Sequence, residues 1–384
     1  MHPRTILSIG NFFFSLFSAL VSIILLPYLT TFMPVAYTGL VVAGSAVFAF
    51  LLFPFLPGVV ARYGAQKIAL SLALIETLVL FVLATSPGVV TAVLLMALTI
   101  AMQPFLSYEL DILLEATVSD VNTTGEVRAL FRTAWSVAAL AAPLLLGALL
   151  VTSDSYGRVF FSAAISLIPI IILFAVRQLP VGPTPRLAHM KDTIASIVTN
   201  RDLAAVTIAN LLLYLFYVWM PFYTPVYLHD VLGISWSDLG WMFAVMLVPY
   251  VLIEYPAGII ADRYLGDKEL MFAGFVIAGG GLTALAFLSP ATSLVVIALI
   301  LISSRVGAAL IESMVDAHFF RRIEKRDINS IGVFRGVWPL SLIIGPVVGS
   351  VLLMFGSYST FFFLTGGFII LAGVGTTLLI RDFK

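Results

Sequence analysis

"FRGVWPLSLIIGP" (Phe334–Pro346) has an earlier copy in this chain, "FRTAWSVAALAAP" (Phe131–Pro143). Phe, Arg, Trp and Pro stay in register at an offset of 203, which also carries Glu109 onto Glu312 without a gap. Nearer the start of each copy, "NFFFSLF" (Asn11–Phe17) falls on "NLLLYLF" (Asn210–Phe216) at 199. Between these, Arg62, Tyr63 and Lys67 fall on Arg263, Tyr264 and Lys268 at 201. Offsets that drift slowly through loops mark a duplicated unit, so the chain reads as two parallel halves.

Both halves are strongly apolar. The 384 residues are 61% hydrophobic and 10% charged, whereas about a quarter of a soluble domain is charged. Apolar runs repeatedly exceed the roughly 20 residues that a helix needs to cross a bilayer. They are continuous rather than alternating, which selects helices over a closed barrel. Twelve spans are expected, near 5–32, 37–60, 67–86, 89–112, 127–152, 158–177, 203–228, 238–260, 269–289, 293–316, 331–355 and 358–380. The first run is too long for a signal peptide and lacks a small-residue cleavage site, so it reads as a span.

With both termini cytoplasmic, eighteen of the twenty Lys and Arg residues fall on the inner side. Arg158 falls outside and Arg305 within a span; so steep a bias fixes the expected orientation. The expectation is an all-α, multi-pass protein of the cell membrane, twelve helices in two pseudo-symmetric six-helix bundles. Residues 1–180 form the N-terminal bundle, 181–200 a cytoplasmic linker with a short surface helix, and 201–384 the C-terminal bundle.

The loop "GIIADRYLGDK" (Gly258–Lys268), between spans eight and nine, resembles the signature loop of the major facilitator superfamily, Gly-x-x-x-Asp-Arg-x-Gly-Arg-Arg. Gly258, Asp262, Arg263 and Gly266 keep that pattern, with one extra residue before the last Gly. The first-half counterpart has Ala61 where the Asp belongs but keeps Arg62 and Gly64. Gly345–Gly349 (Gly-Pro-x-x-Gly) resembles a motif of the same family best known from span five of antiporters. Span count, six-plus-six arrangement and central linker extend the resemblance over the whole chain. It implies the major facilitator fold, alternating access, and a loop that latches the two halves. In that role Asp262 would meet a helix N-terminus of the other half, and Arg263 an acid on span ten. The plainer reading, charges that only mark the inner edge of the membrane, stays open beside it.

Candidate substrate contacts lie on the first helix of each half. Asn11, Ser15, Ser18 and Ser22 form one helical stripe, and the repeat carries it onto Asn210, Tyr214, Tyr217 and Pro221. With Trp219 and Tyr223, these tyrosines would suit an aromatic or amphiphilic solute. The same polar groups could equally be hydrogen-bonding glue between helices. Arg305 lies about 18 Å into span ten at 1.5 Å per residue, where a cation is costly unless it faces protein or a wet cavity. Two readings stand for it: contact with substrate or with a proton-carrying carboxylate, and a buried structural pair with Glu76 or Glu254. Those two acids, inside apolar spans, are themselves candidate proton carriers, because protonation relieves the cost of burying them. Glu109 and Glu312 each precede an arginine, Arg132 and Arg335, by 23 residues. A turn of about ten residues returns each Glu to the depth of its Arg, so these pairs read as salt bridges supporting the latch.

No cofactor or metal is called for: the chain has no cysteine, and its four histidines (His2, His189, His229, His318) are dispersed. "AGGGL" (Ala278–Leu282) lacks the Lys-Ser/Thr ending of a phosphate loop and reads as helix packing. No metalloprotease motif or nucleophile elbow supports an enzyme. The function expected is secondary active transport of a small organic solute, proton-coupled, with efflux by antiport favoured. The alternatives are a proton-coupled importer of the same fold and a non-transporting receptor. The expected partners are the solute, protons and the lipid bilayer, without nucleic acid, and a monomer suffices.

Overall fold

The computed structural model describes residues 3–117, 124–151, 155–179, 190–322 and 328–381. Among them all regular structure is helical. The first seven helices are α1 (Pro3–Thr30), α2 (Val35–Leu52), α3 (Leu56–Tyr63), α4 (Ala65–Ala84), α5 (Val89–Glu115), α6 (Thr124–Leu149) and α7 (Tyr156–Val176). A short α8 (Met190–Thr199) follows, placed where the linker's surface helix is expected. The remainder are α9 (Arg201–Val226), α10 (Trp236–Val245), α11 (Val248–Arg263), α12 (Asp267–Ala284), α13 (Leu294–Arg322), α14 (Ile328–Phe355) and α15 (Tyr358–Leu379). Eleven helical stretches among the described residues are long and apolar enough to cross a membrane, and α6 adds a shorter apolar stretch, Thr133–Leu149. The protein is therefore a polytopic α-helical membrane protein.

Local chemistry sets the helix ends. Asn200 caps α9, its side-chain oxygen accepting from the backbone N–H of Asp202 and Leu203 at 3.1 and 3.3 Å, and Ser357 caps α15 through the N–H of Thr360. Both satisfy donors that a helix start otherwise leaves open. Gly64 (φ 84°) and Gly266 (φ 133°) make the turns into α4 and α12. A side chain strains such backbone, which accounts for a glycine in both copies of the loop. The expected span at 37–60 is α2 and α3 joined by a 3-10 turn at Phe53–Phe55, in a stretch where Pro54 and Pro57 cannot donate to the helix ladder. The span at 238–260 is likewise divided, into α10 and α11 ahead of Pro249.

The chain divides into two compact units, Met1–Arg186 with Ile234–Trp241, and Leu187–Gly233 with Met242–Lys384. In the first, α1 packs on α6, α7 and α5, α4 packs on α7 and α5, and α2 on α5. In the second, α9 packs on α14, α15 and α13, α12 on α15 and α13, and α11 on α13. Under the sequence repeat these are the same pairs. One hydrogen bond repeats with them: Asn11 Nδ2 donates to the Phe131 carbonyl at 2.8 Å, and Asn210 Nδ2 to that of Phe334 at 3.0 Å.

Small residues let the second unit's helices approach closely, the usual device where lipid removes the hydrophobic drive between helices. A β-carbon at Gly281 would stand 2.6 Å from that of Ser304 on α13, and one at Gly279 2.8 Å from the Gly366 carbonyl on α15. "AGGGL" is thus packed on two sides. Gly345 and Gly349 of the Gly-Pro-x-x-Gly motif make room on α14 for Val218 and the Tyr223 ring of α9.

Candidate functional site

The tyrosine stripe of α9 meets charged groups of α13 inside the second unit. Tyr217 Oη donates to Glu312 Oε2 at 2.6 Å, and the short length is that expected of a hydroxyl bonded to a carboxylate. The Tyr217 ring lies 6.3 Å from that of Tyr250, on α11, and 6.4 Å from that of Tyr214. Trp338 of α14 meets Tyr214 edge-on at 5.2 Å. Two helical turns before Glu312, the Arg305 guanidinium lies over the Phe216 ring, 5.4 Å from its centre, and neighbours Tyr250. Arg305 is only 2% exposed, and its Nε makes no hydrogen bond. An unpaired buried donor costs about 1–3 kcal/mol. Tyr214, Tyr217, Tyr250 and Glu312 are half-buried and Trp338 is exposed.

These residues form one group: an anion and a cation with a free donor from α13, and aromatic faces from α9, α11 and α14. It can stack a flat or apolar body, accept a hydrogen bond at Glu312 and donate one from Arg305. Of the residues singled out in sequence, Tyr214, Tyr217, Arg305 and Glu312 come together here. The Arg335 side chain, the expected partner of Glu312, lies outside the described residues, as do those of Arg132, Glu254 and Asp262.

The other candidates are placed differently. Asn11 and Asn210 are 5% and 2% exposed and hold helices together through backbone carbonyls. Trp219 and Tyr223 also tie α9 to α14, donating to the carbonyls of Gly345 at 2.8 Å and Pro346 at 3.3 Å. The Tyr223 ring is fully enclosed, whereas Trp219, 2% exposed, also borders an apolar cavity with Leu215, Val348 and Phe368. Ser15 is buried with its hydroxyl unpaired, while Ser18 donates to Gln103 Oε1 on α5 at 3.4 Å. Gln103 and Glu76 line, with Phe17, Leu72, Met102 and Leu106, a crevice too narrow to hold a water. Glu76 is 2% exposed, neither of its oxygens makes a hydrogen bond, and Thr99 of α5 is the polar group it faces. Glu109 is fully buried, also with both oxygens unpaired. In the loops, Arg62 and Arg263 are exposed, Arg62 lying over Tyr63, and the space around Gly258 is open.

Tyr250, Trp338 and Gln103 were not singled out from sequence. Trp338 was visible as one of the four residues shared by the repeats, and Gln103 as a lone amide in an apolar span. Tyr250 carried no signal of its own.

Bilayer-length helices that bury acids, an arginine and hydroxyls in their interior define a polytopic membrane protein with a polar interior. The chain belongs to the major facilitator superfamily, whose sequence profile matches residues 7–326 and again 220–382. Two uncharacterized MFS-type transporters of Mycobacterium tuberculosis, from strains CDC 1551 / Oshkosh and ATCC 25618 / H37Rv, are 30% identical over 138 residues. That match covers 36% of this chain and 32% of each relative, about a third of their length. Among solved structures, the nucleoside transporter NupG superposes with a TM-score of 0.78 at 14% identity, over 99% of both chains. A bacterial homologue of the human lysosomal transporter Spinster, inward-facing and occupied, gives 0.75 at 11%, over 98% of this chain and 93% of that one. At such identities the likeness is one of fold.

Proposed function

We propose that the protein exports a small aromatic or amphiphilic solute in exchange for protons, using the Tyr217–Glu312–Arg305 group as its substrate site. The Tyr217–Glu312 hydrogen bond beside the unpaired Nε of Arg305 carries this reading. Buried polar groups left partly unsatisfied next to aromatic faces are what a transported ligand with an acceptor and a donor would complete. The halves act as two pseudo-symmetric six-helix bundles, residues 1–180 and 201–384, with both termini cytoplasmic. Matched helix pairs and matched asparagine bonds in the two units support that arrangement. The proton site is placed at Glu76, which is buried, faces a narrow crevice and can shed its burial cost by protonation. Glu254 is proposed as a second carrier, and Asp262 with Arg263 as the latch, on sequence grounds. The outward direction rests on the antiporter-like Gly345–Gly349 motif.

A nucleoside, the solute in the name of NupG, pairs an aromatic base with hydroxyls and is a suitable first probe of this class. Uptake of labelled nucleosides and other aromatic solutes into sealed proteoliposomes tests the reading. Accumulation is expected to follow an imposed pH gradient and to reverse with it. Tyr217→Phe removes the donor and Glu312→Gln the charge of a charge-assisted bond, and each is expected to cut transport about tenfold or more. Transport that ignores the gradient would refute the coupling, and full activity in both variants would refute the site.

A further inference from the structure

A second charged group of the same unit lies away from this site. His318, four residues before the end of α13, is 1% exposed. Its Nε2 lies 3.1 Å from Asp202 Oδ2 and its Nδ1 3.3 Å from Asp267 Oδ2. Asp202 is in the first turn of α9 and Asp267 is the first residue of α12; they are 6% and 5% exposed. Arg322 reaches Asp202 at 2.5 Å and Arg321 reaches Asp267 at 3.2 Å, both from the more exposed side. The backbone N–H of Arg381, just beyond α15, donates to Asp202 Oδ1 at 2.8 Å, and its carbonyl accepts from Arg322. Among the described residues, the charged groups bonded in this cluster are Asp202 from α9, Asp267 from α12, and Arg321 and Arg322 on the same helix as the ring, and Arg381 contributes backbone.

The charges follow the helix dipoles. Both carboxylates sit at helix N-termini and the three bases at a C-terminus, which favours anions in the first place and cations in the second. A neutral imidazole has one N–H and one lone pair. It would satisfy one aspartate and turn its lone pair on the other at about the same distance. Only the imidazolium donates to both. A metal ion does not suit the group, because both carboxylates are already held by arginines.

The first half has an amide at one of these positions. The offset of 201 that aligns the loops carries Asp267 back to Gln66. Gln66 Nε2 donates to the carbonyls of Phe174 and Arg177, and its Oε1 accepts from the N–H of Leu179. A neutral amide therefore suffices to tie the start of α4 to the end of α7. In the second half a carboxylate stands at that position and meets His318 and Arg321 instead.

We propose that His318 is a proton-binding site in its own right, a doubly bonded imidazolium that clasps the ends of α9, α12 and α13. The clasp lies at the end of the bundle that the Lys and Arg distribution assigns to the cytoplasm, so the proton exchanges with that side. It is separate from Glu76 and does not rest on the transport reading. The clasp is whole while the ring is charged and loses one of its two bonds when the ring deprotonates.

Nitrogen-15 NMR of the full chain, labelled at histidine, reads the ring directly. A variant with His2→Gln, His189→Gln and His229→Gln leaves His318 as the single signal, and His318→Gln in the wild type identifies the same signal by its loss. In the folded protein both nitrogens are expected to carry protons; a neutral tautomer would overturn the proposal. Thermal unfolding gives an independent reading. The unfolding temperature of the wild type is expected to drop from mildly acidic to mildly basic pH by more than that of His318→Gln. Equal slopes in the two proteins would also overturn it.

Discussion

Asn210 donates its side-chain amide to the carbonyl of Phe334 at 3.0 Å, and Asn11 makes the same bond to Phe131 at 2.8 Å. The first helix of each unit is thereby pinned to the helix that carries the Phe-Arg-x-x-Trp copy. Asn210→Ala removes the donor and is expected to cost about 0.5–2 kcal/mol, the range of hydrogen bonds between helices in a bilayer. Substrate affinity should stay at the wild-type level. Unfolding in mild detergent and a binding isotherm check the two halves of this prediction. Lost affinity at unchanged stability would move the asparagines into the substrate site.

Close packing at the α12–α13 contact makes a sharper prediction. Gly281→Ala places a methyl group 2.6 Å from the Ser304 β-carbon, whereas a β-carbon at Gly280 meets nothing within 4 Å. Overpacking of this kind costs about 1–3 kcal/mol. Gly280→Ala, on the same helix, should be neutral or slightly stabilising, since alanine is the better helix former. A pair of thermal unfolding curves decides it, and equal effects at the two positions would contradict the packing described.

Glu76→Gln keeps the shape of the buried side chain and removes its proton exchange. Exchange of substrate across the membrane should survive in this variant, while accumulation driven by a pH gradient is lost. Counterflow and gradient-driven uptake in the same vesicles separate the two. Undiminished gradient-driven uptake would exclude Glu76 as the obligatory carrier.

Helix positions and the repeat were legible because both are local properties. Apolar length marks a span, and Phe131, Arg132, Trp135 and Pro143 align with Phe334, Arg335, Trp338 and Pro346 without reference to any contact. The site was only half legible. Tyr214 and Tyr217 could be read from one helical stripe, but Tyr250 arrives from α11 and Trp338 from α14, and no spacing along α9 announces them. Asn210 sits on that same stripe and turns out to bond the Phe334 backbone. A stripe gives the face of a helix and leaves open whether that face meets a neighbour or a cavity. Glu312 was read with Arg335 because their depths match, yet its hydroxyl partner is Tyr217, nearly a hundred residues away. His318 passed as one of four dispersed histidines for the same reason: Asp202 and Asp267 reach it from two other helices.

Arg305 bears most directly on the transport site. It is buried over Phe216 with an unpaired Nε, beside the Tyr217–Glu312 pair. The measurement is solute counterflow in vesicles reconstituted with equal amounts of wild-type, Arg305→Ala and Arg305→Lys protein, each first shown to be monodisperse. The account predicts a folded Arg305→Ala protein with counterflow at background, and partial recovery in Arg305→Lys, which restores the charge without the guanidinium geometry. Wild-type counterflow by Arg305→Ala would contradict it.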